Sequence, residues 1–482
     1  MPTAHPSGWA HADGALRGPH WLREPDDANA LVGQLWSSTA HKNDDGALVV
    51  GGVDLRDLVA EHGSPAYVLD EDDFRGRARA FRDAFSAYDV YYAGKAFLCT
   101  TIASWIAEEG LCLDVCSNSE LTVALRGGVD PSRIGYHGNN KTTAELRRAI
   151  QADVGRIVVD SLHEIERLEA ITAGLEVGRA SSTGGSVKVM LRVTAGVEAH
   201  THEYIATAHE DQKFGFSITS GDAFEAVRRV LAAPGLELLG LHSHIGSQIF
   251  DSSGFEVAAR RVLALHARVS EELSVDMPEM DLGGGFGIAY TTQDDPSDPA
   301  QLATEMSKIV EHECRALGIE EPRLSIEPGR AIVGPSVCTV YEVGTVKEVA
   351  LDGGARRVYV SVDGGMSDNI RTALYDADYS CTLASRVSEA PAVLARVVGK
   401  HCEAGDIVVK DEFLPGDVRP GDLVAVPGTG AYCRSMASNY NHALRPPVIA
   451  VRDGVTRVVV RRETEDDLLA TDVAPRRDGA SS

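Results

Sequence analysis

The sequence predicts an α/β protein built as a (β/α)8 barrel with a C-terminal antiparallel β domain. Two patterns predict it. From Tyr88 to Glu327, short β-branched or aromatic runs alternate with helix-period stretches eight times, the count a closed barrel needs. After Gly329, strand-like runs follow one another across Gly, Pro and Asp turns, and most have no long helix between them.

The eight expected barrel strands are Tyr88 to Gly94, Leu111 to Ser117, Arg133 to Gly138, Arg156 to Asp160, Ser186 to Val193, Leu236 to Gly246, Glu279 to Gly284 and Arg323 to Glu327. The β domain is expected from Ser336 to Val349, Arg357 to Asp363, Val393 to Gly399, Asp406 to Val409, Leu423 to Pro427 and Pro447 to Val460, completed by Ala47 to Val53 from before the barrel. Residues 1–45, rich in Gly, His, Pro and Asp, read as an extension. Residues 46–70 are a lead-in that lends a strand to the β domain, 71–333 the barrel, 334–465 the β domain and 466–482 a frayed tail.

Composition narrows the function. Lys plus Arg number 46 and Asp plus Glu 71, a formal charge of −25, and such a surface repels the phosphate backbone of nucleic acid. No apolar run approaches the ~20 residues of a membrane helix, and the first thirty residues hold no signal-peptide core, so a cytoplasmic protein with no membrane partner is expected. Eight cysteines without a CxxC pair read mostly as reduced core thiols.

In a barrel, chemistry sits at the C-terminal ends of the strands. There the sequence places Lys95, Asp114, His137, Arg192, His244, Ser247, the run Gly283, Gly284, Gly285, Phe286, Gly287, and Glu327 with Gly329 and Arg330. Singly, each has an ordinary explanation: a snorkelling lysine, a satisfied core histidine, a connecting turn. Together on one rim they describe a site. A glycine-rich strand-to-helix turn admits a phosphate, and GGGFG is not the dinucleotide fingerprint. A phosphate site, a lysine in the apolar context YYAGKAF, a stacking imidazole and a carboxylate suit pyridoxal 5'-phosphate. Lys95 joins the aldehyde, and Glu327 opposite the pyridine nitrogen keeps the ring an electron sink.

These motifs resemble the fold-type III pyridoxal-phosphate decarboxylases, and within them the diaminopimelate decarboxylase family, with its alanine racemase-like barrel. The likeness runs from about Val49 to about Leu444 through YYAGKAF, HSHIGSQ, GGGFG, EPGR, DNIRTALY, CEAGD and GAYC. It implies Lys95, His244, Glu327 and the proton-donor thiol Cys402 as catalytic groups. It implies Asp114, Ser247, Gly283, Gly284, Gly285, Gly329, Arg330 and Tyr432 at the cofactor. Arg330, Arg371, Tyr375, Glu403 and Tyr432 become substrate contacts, since a planar guanidinium fork suits a distal carboxylate and Glu403 a distal ammonium. The implied reaction takes meso-2,6-diaminopimelate to L-lysine and CO2, the last step of lysine biosynthesis. The implied assembly is a head-to-tail homodimer in which the Cys402 segment crosses to its partner. Arg434 departs from the family pattern, standing where relatives often carry an aromatic residue.

Other readings are weaker. A decarboxylase for ornithine, arginine or lysine has no use for paired substrate arginines, and a racemase avoids so strong an electron sink as Glu327 creates. A non-catalytic regulatory relative is expected to have lost Lys95 or Cys402. His200, His202 and His209 have metal-ligand-like spacing, but the loop reads more simply as the family's segment after strand five, so no metal is expected.

Overall fold

The computed structural model describes residues 18–174, 185–196, 213–350 and 356–473. The chain divides into two compact units, residues 72–336 and residues 1–71 with 337–482.

Residues 72–336 form the closed parallel barrel. Its strands are Asp89–Ala93, Cys112–Val115, Ile134–Tyr136, Arg156–Val159, Val187–Thr194, Leu236–His242, Glu279–Asp281 and Arg323–Ile326, and the ring closes where the last pairs with the first. A two-residue strand, Phe216–Ser217, adds to the edge of strand five. All eight expected strands are present, trimmed by a few residues where the chain turns toward a helix.

Local chemistry explains the helix starts. Ser117 and Ser161 each accept the backbone N–H three residues on, Thr142 and Glu145 form a capping box, and Asp298 caps a helix opened by Pro299. Helix Ser253–Leu273 buries Phe255, Ala258, Ala259, Val262, Leu263, His266 and Val269 at the spacing of one helical face, with Leu265 buried beside it. Val158, Met190 and Leu239 form an apolar cluster of the barrel core. Burying such side chains contributes roughly 1.5–3 kcal/mol each.

Strand six carries a bulge between Leu238 and Gly240. The extra residue alters the two-residue alternation. Leu239 therefore joins the core cluster, while His242, three residues on, pairs with Arg192 and Asp281 in the neighbouring strands.

The other unit is a β domain whose main sheet is mixed, which corrects the antiparallel expectation. Arg356–Val362 runs parallel to Ala392–Val398, and Ala66–Asp70 parallel to Val448–Arg452. The cause is chain order: Ala66–Asp70 inserts between Val337–Ala350 and Val448–Arg452, and no hairpin links it to either. Ala47 makes a single antiparallel bridge to Ser385, and the neighbouring strands Leu48–Val50 and Val53–Asp54 belong to a small separate sheet. The stretch 447–460 is two strands with a turn at Asp453 and Gly454, not one. Among the described residues, no helix is long and apolar enough to cross a membrane.

Candidate active site

Parallel register sets the barrel's polar residues side by side. Ala93, Asp114, Gly135 and Arg156 are successive partners around one arc, and Arg192, His242, Asp281 and Ser325 around the other. Glu327 follows the eighth strand, buried, with His242 Nε2 at 2.9 Å and His137 Nε2 at 3.3 Å from its Oε1. Asp114 Oδ1 lies 3.1 Å from the same His137 nitrogen.

The two acids part company electrostatically. Burial alone raises Glu327, but the imidazoles of His242 and His137 and the His242 hydrogen bond outweigh it and hold the carboxyl well below its ordinary range. Asp114 goes the other way, raised first by burial and then by the charge of Glu327. The shared pocket thus favours ionisation of Glu327 over that of Asp114. Burial lowers His137 to about 4 and drives His244 well below the ordinary imidazole value, so both rings are neutral near pH 7.

His244 is the link between the acid and the amine. Lys95 and Glu327 follow the first and eighth strands, which are parallel neighbours, so both stand on one rim, and both act on the charge of His244, in opposite directions. The Gly284 N–H donates to His244 Nδ1 at 3.2 Å, fixing that nitrogen as an acceptor. Lys95 itself is exposed at the turn after strand one, although Ala93, Gly94, Ala96 and Phe97 around it are buried. The apolar context is therefore that of its backbone, and the side chain is exposed.

The glycine run is close-packed. A Cβ at Gly284 would stand 2.2 Å from Glu327 O, and one at Gly283, whose φ is +74°, would stand 2.5 Å from Ser243 O. The Gly283 N–H donates to Asp281 Oδ1 at 2.6 Å, and that of Gly284 to His244. Without a ligand, those two amides are met by protein acceptors. Beside the run, Arg330 Nη2 donates to Ser247 Oγ at 2.7 Å, and Nη1 to Tyr290 OH at 2.5 Å. Gly329 opens the short helix carrying Arg330, and a Cβ there would meet Ala93 O at 2.9 Å.

These residues fit pyridoxal phosphate on their own terms. The set offers an accessible amine, a neutral imidazole, an ionised buried carboxylate for the ring nitrogen, and an arginine and a hydroxyl for an anion. Below them lies a network that the sequence reading did not find. Arg156, about 1% exposed, pairs with Asp281, donates to Ser325 Oγ at 3.0 Å and sits 3.8 Å over the Tyr91 ring.

The remaining expected residues lie in the β domain. Arg371 and Tyr375 are the ends of helix Arg371–Tyr375; Arg371 is buried and donates to Tyr379 OH at 2.6 Å, and Tyr375 is half-buried. Tyr379 OH and Asn369 Oδ1 both contact Cys433 Sγ, at 3.6 and 3.4 Å. Cys402 and Glu403 are exposed on a turn whose base is tied down by Asp406, which accepts from the His401 N–H at 2.8 Å and the Met366 N–H at 2.6 Å. Tyr432 takes a positive φ of 64° beside buried Cys433. His200, His202 and His209 lie outside the described residues.

The family described as "Pyridoxal-dependent decarboxylase, pyridoxal binding domain" matches residues 71–334. The diaminopimelate decarboxylase of Mycobacterium tuberculosis is 55% identical over 448 residues, 92% of this chain and 98% of that protein. The chain belongs to the diaminopimelate decarboxylase family. The family enzyme of Bacillus subtilis is 43% identical, with 90% of this chain and 97% of that one covered. A solved diaminopimelate decarboxylase from M. jannaschii, in complex with L-lysine, superposes with a TM-score of 0.83 at 29% identity, covering 91% of this chain and 98% of that one. A lysine/ornithine decarboxylase from Vibrio vulnificus, at 22% identity and a TM-score of 0.69, shares the fold, covering 83% of this chain and 98% of that one.

Proposed function

We infer that this decarboxylase converts meso-2,6-diaminopimelate to L-lysine and CO2. The observation that carries the reading is Glu327, buried and hydrogen-bonded to His242 on the rim that also bears Lys95, in a chain 55% identical to a family enzyme over 92% of its length.

Bound pyridoxal phosphate supplies a sink for the electron pair left on the α-carbon when the carboxylate departs. The chain's residues do the rest. Lys95 anchors the aldehyde through its amine, and Arg330 and Ser247 take the phosphate. Glu327 holds a proton at the ring nitrogen, and the neutral His244 offers a flat face to the ring without adding charge beside that proton. Arg371 and Glu403 select a substrate with a distal carboxylate and ammonium, Tyr375 and Tyr432 contribute to its pocket, and Cys402 returns a proton to the α-carbon.

The exposed Cys402–Glu403 turn on its clamped base supports a homodimer in which this turn completes the partner subunit's site. A cytoplasmic place in lysine biosynthesis belongs to the same reading. The test is a substrate panel with CO2 detection. Diaminopimelate is expected to turn over far faster than ornithine, lysine or arginine, and Lys95→Ala to lose both turnover and the visible absorbance of lysine-bound cofactor. A preference for a monocarboxylic amino acid overturns the substrate assignment.

A further inference from the structure

The carboxylate after the eighth strand is held by a residue that none of the motif assignments uses. His242 is about 1% exposed, and its Nδ1 is buried without a hydrogen-bond partner among the described residues. Nε2, by contrast, lies 2.9 Å from Glu327 Oε1, so the hydrogen bond of this ring runs to the carboxyl. With the N–H on Nε2, Oε1 accepts, a bond that is stronger when the carboxyl is ionised.

We propose that His242 is a positioning residue for the decarboxylation, its Nε2–H orienting Glu327 and keeping it anionic, with His137 spanning the gap between Glu327 and Asp114. The inference rests on the reading of Glu327 as the partner of the ring nitrogen. Its setting explains why such a residue is needed. Asp114 and Glu327 both lie within 3.3 Å of His137 Nε2 in one buried pocket, so the ionisation of one opposes that of the other. Arg156 and Asp281 face this pocket from below, and Arg192, His244 and Lys95 act on it from the rim. The His242 hydrogen bond is the asymmetric element: it reaches Glu327 and not Asp114. Without it Glu327 loses its advantage over Asp114, takes the proton, and gives the ring nitrogen no counter-charge. The bulge at Leu239 brings His242 into register with Arg192 and Asp281 and so delivers the donor to this acid.

The test uses holoenzyme loaded with 15N-labelled pyridoxal phosphate, with the ring-nitrogen chemical shift as the readout. Wild type and His242→Gln, whose amide restores a donor near the Nε2 position, are expected to show a protonated ring nitrogen. His242→Leu is expected to show an unprotonated one, with kcat falling at least tenfold while KM moves by less than threefold. A protonated shift in His242→Leu overturns the proposal. Should that variant not fold, imidazole NMR on the wild-type protein still decides: an unprotonated Nε2 of His242 overturns the proposal, and a protonated one supports it. Glu327→Gln separates the two readings. If it leaves the ring nitrogen protonated, the Glu327 assignment fails and the proposal with it; if it removes that proton while His242→Leu does not, the His242 inference alone fails.

Discussion

Gly135 and Arg156 are partners on adjacent barrel strands, and the bare backbone of the first leaves room for two polar side chains. A Cβ at Gly135 would lie 2.3 Å from Asp114 Oδ1 and 3.4 Å from Arg156 Nε. Gly135→Ala should therefore displace the Asp114 carboxylate, destabilise the barrel by about 1–3 kcal/mol and weaken cofactor retention. Urea denaturation of the apoprotein and a pyridoxal phosphate titration measure the two effects; a variant indistinguishable from wild type in both would show that the pocket yields freely.

Arg156 neutralises Asp281 in the barrel interior. Removing only the cation strands a buried anion, so Arg156→Met is expected to cost roughly 3–5 kcal/mol. The double variant Arg156→Met with Asp281→Asn should be clearly less destabilised than the sum of the single changes, because neither charge is left alone. A double-mutant cycle by chemical denaturation checks this, and strict additivity would contradict it.

His137 gives the fold an acid limit. Burial lowers this imidazole from the ordinary 6.5 to about 4, so between those values the unfolded chain binds a proton that the native chain refuses. Stability from this group is complete above about pH 6.5 and is lost as pH falls through the window to about 4, a total of roughly 3 kcal/mol. His137→Gln should flatten the stability profile in that window. An unchanged slope would mean that another group carries it.

Tyr379 holds the Arg371 guanidinium through its hydroxyl. With Arg371 assigned to the distal carboxylate, Tyr379→Phe should raise KM for diaminopimelate roughly three- to tenfold, the worth of one hydrogen bond, and leave kcat nearly unchanged. A fall in kcat at constant KM would place Tyr379 elsewhere in the reaction.

Shared sites can be counted by mixing subunits. Lys95→Ala and Cys402→Ala homodimers should each be impaired, and random re-association of equal amounts should restore about a quarter of wild-type activity, since half the dimers then hold one intact site of two. No recovery would mean that both residues serve the site of their own chain.

The barrel was legible because its alternation has two plain periods, and the rim residues because they end strands in recognisable motifs. His242 was not. It shares the HSHIGSQ motif with His244, and nothing in the letters marks a bulge that changes which residues pair across the strands. Arg156 escaped for a related reason: at the start of RIVVD it looks like a solvent-facing strand end, and only ring closure buries it against Asp281. The glycine run follows strand seven as its letters suggest, while the Gly284 amide reaches His244, forty residues away, a pairing that local pattern does not report. The mixed sheet was hidden because local pattern does not report which distant strand will be a neighbour.

The strand Ala66–Asp70 is threaded between Val337–Ala350 and Val448–Arg452. During synthesis, then, the earliest-made strand of the main sheet leaves the ribosome long before either of its neighbours exists. The barrel can close on the nascent chain, but this apolar segment must wait uncovered until translation is almost finished, which makes it the stretch most in need of a chaperone.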